Sequence, residues 1–220
     1  LLAPADAFKV LASGAVDLSV IIAGFSSDGP TADARVKPEL LARGVDTYTV
    51  AANGSTGYWT ASGTSLSTPL LACVVACLTQ AHPDWTVDQM RAALFQTAGG
   101  YVANSTYDPL YVRGYGIVNA FSAAQDCNGN AIPDSVDIAT STSQDCQPNG
   151  IPDECEIILG DMNCDCAVDV GDVAPFVLAL IDPASYVAQF PNCPIPRADA
   201  NADGSRDGRD VQAFVDLLLP

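Results

Sequence analysis

The sequence predicts a sheet-based α/β core followed by a smaller domain of acidic loops and short helices, on three observations. Apolar runs of strand length in the first 125 residues lead into helix-length segments. Most of the formal charge of −17 sits in the second half. That half also repeats one twelve-residue spacing of oxygen-bearing side chains four times.

Taken in order, FKVLASGAV and VIIAGF, separated by Asp17, read as two strands within residues 8–26. Gly29, Pro30, Pro38 and Gly44 then punctuate a long loop around short extended pieces, and Asn53-Gly54 signals a turn. From Ser65 to Gln80 the chain is apolar on every side, which predicts a helix buried in the core, with Pro69 in its first turn. Cys73 and Cys77 on that helix read as buried thiols. A second helix runs from about Thr86, its N-cap, to Thr97, with Met90, Ala93 and Leu94 as its apolar stripe. GYGIVNAFSAA predicts a last short helix.

Residues 1–125 carry nine acids against six Lys or Arg, net −3, whereas residues 126–220 carry seventeen against three, net −14. So acidic a half repels nucleic acid and anionic membranes and suits cations. The longest uninterrupted apolar run, Leu70 to Leu78, is nine residues, well short of the roughly twenty of a membrane span, so a soluble protein is expected. The start LLAPADAFKV has no methionine, basic segment or cleavage pattern, and is expected to lie within something longer. Cys127, Cys146, Cys155, Cys164, Cys166 and Cys193 in a loop-rich stretch predict disulfides and a secreted, extracellular or cell-surface location. Zinc is the rival, but only Cys164 and Cys166 are closely spaced and no histidine lies near them.

The run SGTSLSTP places Ser65 at the start of the apolar helix, where backbone N–H groups and the helix dipole favour an oxyanion. The alternative is that Ser65 is only an N-cap. Together with FSSDGPTADARVKPEL and GVDTY, this run resembles the C-terminal part of a subtilisin-like serine protease, over residues 1 to about 124. The resemblance implies a mainly parallel α/β sheet with flanking helices, Ser65 as nucleophile of peptide-bond hydrolysis through an acyl-enzyme, and Thr64 as oxyanion support. Cys73 departs from it, standing where the family has glycine.

A serine nucleophile needs a base and a carboxylate to orient it. The one histidine, His82, lies seventeen residues after Ser65, about 25 Å away along a continuous helix, and reads as an exposed residue capping that helix. In the order aspartate, histidine, serine, the other two triad members are expected upstream of Leu1, as is the oxyanion asparagine, a role Asn53 does not fill. The 220 residues alone are therefore expected to be inactive.

In the acidic half, DCNGNAIPDSVD gives Asp126, Asn128, Asn130, Asp134 and Asp137 at loop positions 1, 3, 5, 9 and 12, with the Ile132 carbonyl at position 7. DCQPNGIPDECE repeats this as Asp145, Gln147, Asn149, Ile151, Asp153 and Glu156. DMNCDCAVDVGD gives Asp161, Asn163, Asp165, Asp169 and Asp172, and DANADGSRDGRD gives Asp199, Asn201, Asp203, Asp207 and Asp210. Such alternating oxygens wrap calcium, which takes six to eight hard oxygen ligands. An acidic, disordered linker is the alternative. After the third and fourth loops come matching stripes, Val173, Phe176, Val177, Leu180 and Val211, Phe214, Val215, Leu218, spaced to pack against each other as helix faces.

The last two loops resemble a dockerin module, an EF-hand-like calcium-loop domain, and the first two resemble thrombospondin type 3 repeats. The expected division is thus 1–124 partial peptidase domain, 125–158 calcium-loop repeats or linker, and 159–220 dockerin-like module. Its implied partners are peptide or protein substrates and a cohesin-like or cell-surface protein. Cys166 where such loops have glycine, and Val170, Gly171, Gly208 and Arg209 at positions 10 and 11, weigh against cohesin more than against calcium. A second reading is a calcium-dependent binding or adhesion protein whose protease-like domain is catalytically dead.

Overall fold

The computed structural model describes residues 3–51 and 56–219, so the Asn53-Gly54 turn lies outside the described residues. The chain forms two compact units, Leu1–Val136 and Asp137–Pro220, and their boundary falls inside the first acidic loop.

In the first unit, β1 (Ser13–Val16) pairs in parallel with β2 (Leu40–Arg43), Ser13 facing Leu40. The segment around Ile117 extends this pair, because Leu41 N donates to the Gly116 carbonyl and Val118 N to the Leu41 carbonyl. The helix α1 (Thr64–Ala81) packs on both strands, and α2 (Val87–Gln96), α3 (Gly99–Asn104) and α4 (Ala120–Ala124) follow. Leu40, Leu71, Leu78, Leu94, Ala98 and Ala123 form the core between them. Burial of these aliphatic side chains, at about 1.5–3 kcal/mol for each large one, holds α1 on the sheet. A hairpin of β3 (Thr47–Val50) and β4 (Tyr58–Ala61) leads directly into α1.

Three expectations change here. VIIAGF is not a strand: the Asp17 carboxylate accepts from Ser19 N and Ile21 N, which curls the chain into a turn with Val20 at φ 63°. Pro69 is the sixth residue of α1 rather than part of its first turn, so no peptide N–H is available there to reach the Ser65 carbonyl. The face of α1 carrying Cys73 and Cys77 is exposed, and both thiols are free. Nothing among the described residues covers that face; only Ser67, Leu71 and Leu78 of the helix are buried. By length and mean hydropathy, 1.4, α1 is apolar enough to cross a membrane, yet its Leu71 and Leu78 pack as core on β1 and β2.

The helix α2 starts as its sequence requires. Thr86 caps it, accepting from Gln89 N at 3.3 Å while Gln89 Oε1 accepts from Thr86 N at 2.8 Å. A buried ionic cluster also lies in this unit: Glu39 meets Lys37 at 2.6 Å and Arg91 at 3.2 Å, and its second oxygen accepts from Ala12 N.

The helix α5 (Asp134–Ala139) spans the unit boundary. In the second unit, α6 (Val173–Ile181), α7 (Pro183–Gln189) and α8 (Asp210–Leu218) surround a core of Met162, Phe176, Ala179, Tyr186, Cys193, Ala198 and Phe214. The two stripes meet through Phe176 and Phe214, stacked with centroids 3.9 Å apart. Disulfides join Cys146 to Cys166 and Cys164 to Cys193.

Candidate functional site: a serine at a helix mouth and four oxygen-lined loops

Ser65 is the second residue of α1, with an exposed side chain. The N-cap position belongs to Gly63, and no side chain caps the helix. Leu66 N donates to the Gly63 carbonyl at 3.0 Å, and no side chain takes the N–H groups of Thr64 and Ser65 at the mouth of this eighteen-residue helix, where an oxyanion would be favoured. Thr64, half-buried beside Ser65, lends its carbonyl to the hydroxyls of Ser67 at 3.0 Å and Thr68 at 2.8 Å.

The loop that presents the serine is held by backbone contacts. Gly63 N donates to the Gly44 carbonyl at 2.7 Å, Gly44 N donates to Val16 at the end of β1, and Asp46 N donates to Ser62 Oγ at 3.0 Å. Gly44 leaves no space for a methyl group. A Cβ there would stand 2.6 Å from the Ala15 Cβ and 2.9 Å from the Gly63 carbonyl oxygen.

His82 does not reach this site. It ends α1, its N–H returning to the Leu78 carbonyl, and its ring is half-buried rather than exposed. The ring stacks on Trp85 at 4.0 Å, and its Nε2 bonds to the Ala124 carbonyl at 2.7 Å. Asn53 lies outside the described residues.

The acidic loops share one hydrogen-bond scheme. At position 1 of the first, second and fourth loops, the carboxylate accepts from the loop's own N–H groups at positions 5 and 6. For Asp126 these are Asn130 and Ala131, for Asp145 Asn149 and Gly150, and for Asp199 Asp203 and Gly204. Position 6 has positive φ in all four loops: Ala131 65°, Gly150 83°, Cys166 76° and Gly204 86°. Asn128, Asn130 and Asn149 each accept from the N–H two residues on. Asp134 and Asp153, at position 9, accept from Cys127 N and Cys146 N. In the second loop, Gln147, in the amide orientation that satisfies its neighbours, and Asn149 both donate to Glu156. Ile132 and Ile151 occupy position 7, and Asp137, in the second unit, is fully buried with Thr142 Oγ1 on its carboxylate at 2.7 Å.

The third and fourth loops match bond for bond over most of their length. Asp172 and Asp210, both fully buried at position 12, accept from position 3 (Asn163, Asn201) and position 9 (Asp169, Asp207). Asn163 and Asn201 accept from Asp165 and Asp203, which accept from Ala167 and Ser205. They differ at position 1. Asp161 is 1% exposed, its Oδ2 pairs with Arg197 at 2.8 Å, and its Oδ1 has no hydrogen-bond partner. Burial pushes the Asp161 carboxyl up, the Arg197 guanidinium pulls it down and Asp172 adds to the rise. Sequence reasoning missed Arg197, whose partners lie 36 and 44 residues away.

Residues 1–135 match the Subtilase family, and the chain belongs to that family. It is 36% identical over 122 residues to Bacillopeptidase F of Bacillus subtilis (strain 168), covering 54% of this chain and 8% of that protein. To Subtilisin E of the same organism it is also 36% identical over 122 residues, covering 56% of this chain and 28% of the relative. The chain thus spans about a quarter of the length of that subtilisin. Among solved structures, the prenylagaramide maturation protease PagA matches with a TM-score of 0.44 and 28% identity, over 56% of this chain and 44% of that one.

Proposed function

We propose that Ser65 is the nucleophile of a secreted, subtilisin-like serine endopeptidase acting on peptide or protein substrates. The observation that carries this reading is an exposed hydroxyl in the first turn of a helix that no side chain caps, inside the residues that match the Subtilase family and in a run, SGTSLSTP, that resembles the family's serine motif. Ser65 Oγ attacks the scissile carbonyl carbon as a base takes its proton. The carbonyl oxygen becomes an oxyanion facing the helix N–H groups, with Thr64 beside it. Collapse expels the amine, protonated by the same base, and leaves an ester on Ser65 that water hydrolyses.

The base and its orienting carboxylate are proposed to come from outside these 220 residues, because the ring of His82 is engaged at the far end of α1. In subtilisin, loss of the histidine alone costs about a millionfold in turnover, so residues 1–220 alone should be nearly inert. The test is labelling of the complete translated protein with a fluorophosphonate. Labelling abolished by Ser65→Ala is expected; labelling that survives the substitution, or none in the parent, overturns the assignment.

The acidic loops are proposed to hold calcium. The donors are hard oxygens in a shared register, and the buried, unpartnered Oδ1 of Asp161 fits a ligand position. Calcium would supply positive charge to the carboxylate clusters and rigidity to the loops. Position 7 carbonyls, Ile132 and Ile151 in the first two loops and Ala167 and Ser205 in the last two, would complete each set. The likeness to thrombospondin type 3 repeats in 125–158 and to a dockerin in 159–220 favours an anchoring or stabilising role, with a cohesin-like or cell-surface protein as partner. The lack of an imidazole near Ser65 among the described residues favours a second reading, a calcium-dependent binding or adhesion protein with a catalytically dead protease-like domain. Turnover by the complete protein separates the two.

A further inference from the structure

We propose that Arg197 is a positioning residue that couples the second acidic loop to the third, so that a cation bound at Asp161 also orders the loop around Asp153. This rests on the calcium reading above. Arg197 sits in the helical turn Ile195–Ala198 and is 1% exposed. One arm of its fork, Nη1, holds Asp161 Oδ2 at 2.8 Å; the other, Nη2, donates to the Asp153 carbonyl at 2.8 Å. Asp161 opens the third loop, and Asp153 is position 9 of the second.

The fourth loop supplies the internal control. There, and in the first two loops, the position 1 carboxylate is held by the N–H groups of its own loop. In the third loop the N–H groups of Cys164 and Asp165 still face the Asp161 carboxylate, but a guanidinium from a distant segment pairs with its Oδ2, and Oδ1 is buried with no hydrogen-bond partner. A buried cation beside a cation site is costly unless it organises the ligands, and partners of metal ligands shift metal affinity by about 10–100-fold when removed. A bidentate fork can grip two loops at once; a lysine ammonium, as a single point charge, does so poorly. The Cys146–Cys166 disulfide independently ties the same two loops together, from position 2 of one to position 6 of the other.

The test is hydrogen–deuterium exchange read by mass spectrometry across a calcium titration of the oxidised 220-residue chain, following segments 145–156, 161–172 and 199–210. In the parent, the second and third loops should gain protection with one common midpoint. Arg197→Met should raise the third loop's midpoint 10–100-fold and uncouple the second loop from it, while the fourth loop moves less than threefold. Linkage adds a reciprocal requirement: Asp145→Asn must raise the third loop's midpoint in the parent and not in Arg197→Met. Should Arg197→Met fail to fold, Arg197→Lys keeps the charge, and uncoupling in that variant carries the same expectation. Coincident midpoints in the variants, or equal shifts of all three loops, overturn the coupling. A parent with no calcium response in any segment overturns the calcium reading itself, a distinct result.

Discussion

Gly44 shows how one absent side chain can serve a site it does not touch. Its backbone bridges Val16 and Gly63, and a methyl group would collide with Ala15 and the Gly63 carbonyl, so Gly44→Ala should displace the serine loop. In the complete protein we expect fluorophosphonate labelling of Ser65 to slow at least tenfold while circular dichroism stays near that of the parent; unchanged labelling would refute the positioning role. Glu39, 3% exposed between Lys37 and Arg91, holds two cations in the first unit. Glu39→Gln leaves Lys37 buried without its countercharge and should cost about 3–5 kcal/mol in chemical denaturation. Tyr186 is fully buried, its hydroxyl donating to the Met162 carbonyl at 2.9 Å, and burial raises its pKa to about 12. Because the folded value lies above the unfolded one of about 10, this contribution is complete below pH 10 and lost as pH rises toward 12. Tyr186→Phe should remove that alkaline step from the stability profile of the second unit.

Among the elements, the acidic loops were the most legible. Their positions 1, 3, 5, 9 and 12 are fixed by side-chain chemistry, and the structure gives the third and fourth loops the same bonds at positions 3, 5, 9 and 12. Both α1 and α2 were placed to within about a residue, because a serine-loop motif marks the start of α1, and Thr86 as N-cap with the stripe Met90, Ala93 and Leu94 marks α2. What failed was set by contacts that periodicity does not carry. VIIAGF has strand composition, but the Asp17 side chain takes its N–H groups. The helix α7 escaped notice because it is short, although Asp182 followed by Pro183 and Ser185 is a helix start, Asp182 accepting from Ser185 N at 3.1 Å. At position 6, Ala131 holds a left-handed conformation that glycine holds in the second and fourth loops. Ala131→Gly should therefore stabilise the first loop by about 0.5–1 kcal/mol, measured by urea unfolding, and a loss of stability would contradict it.

At the scale of the whole molecule, the two units draw stability from different sources. The first has a sheet and an aliphatic core, whereas the second packs three short helices around a small core, with ten carboxylates from Asp161 to Asp216 in its loops and helices. Like charges so close should keep that unit from folding without a bound cation. Excess chelator is expected to erase the far-ultraviolet signal of α6, α7 and α8 and added calcium to restore it; identical helix content with chelator would sink the idea. The exposed side of α1 has a practical outcome as well. Cys73 and Cys77 stand four residues apart on it as free, accessible sulfurs, so a maleimide can footprint whatever polypeptide docks there. Loss of alkylation at those two sulfurs would report assembly over the helix even when no peptide is cut.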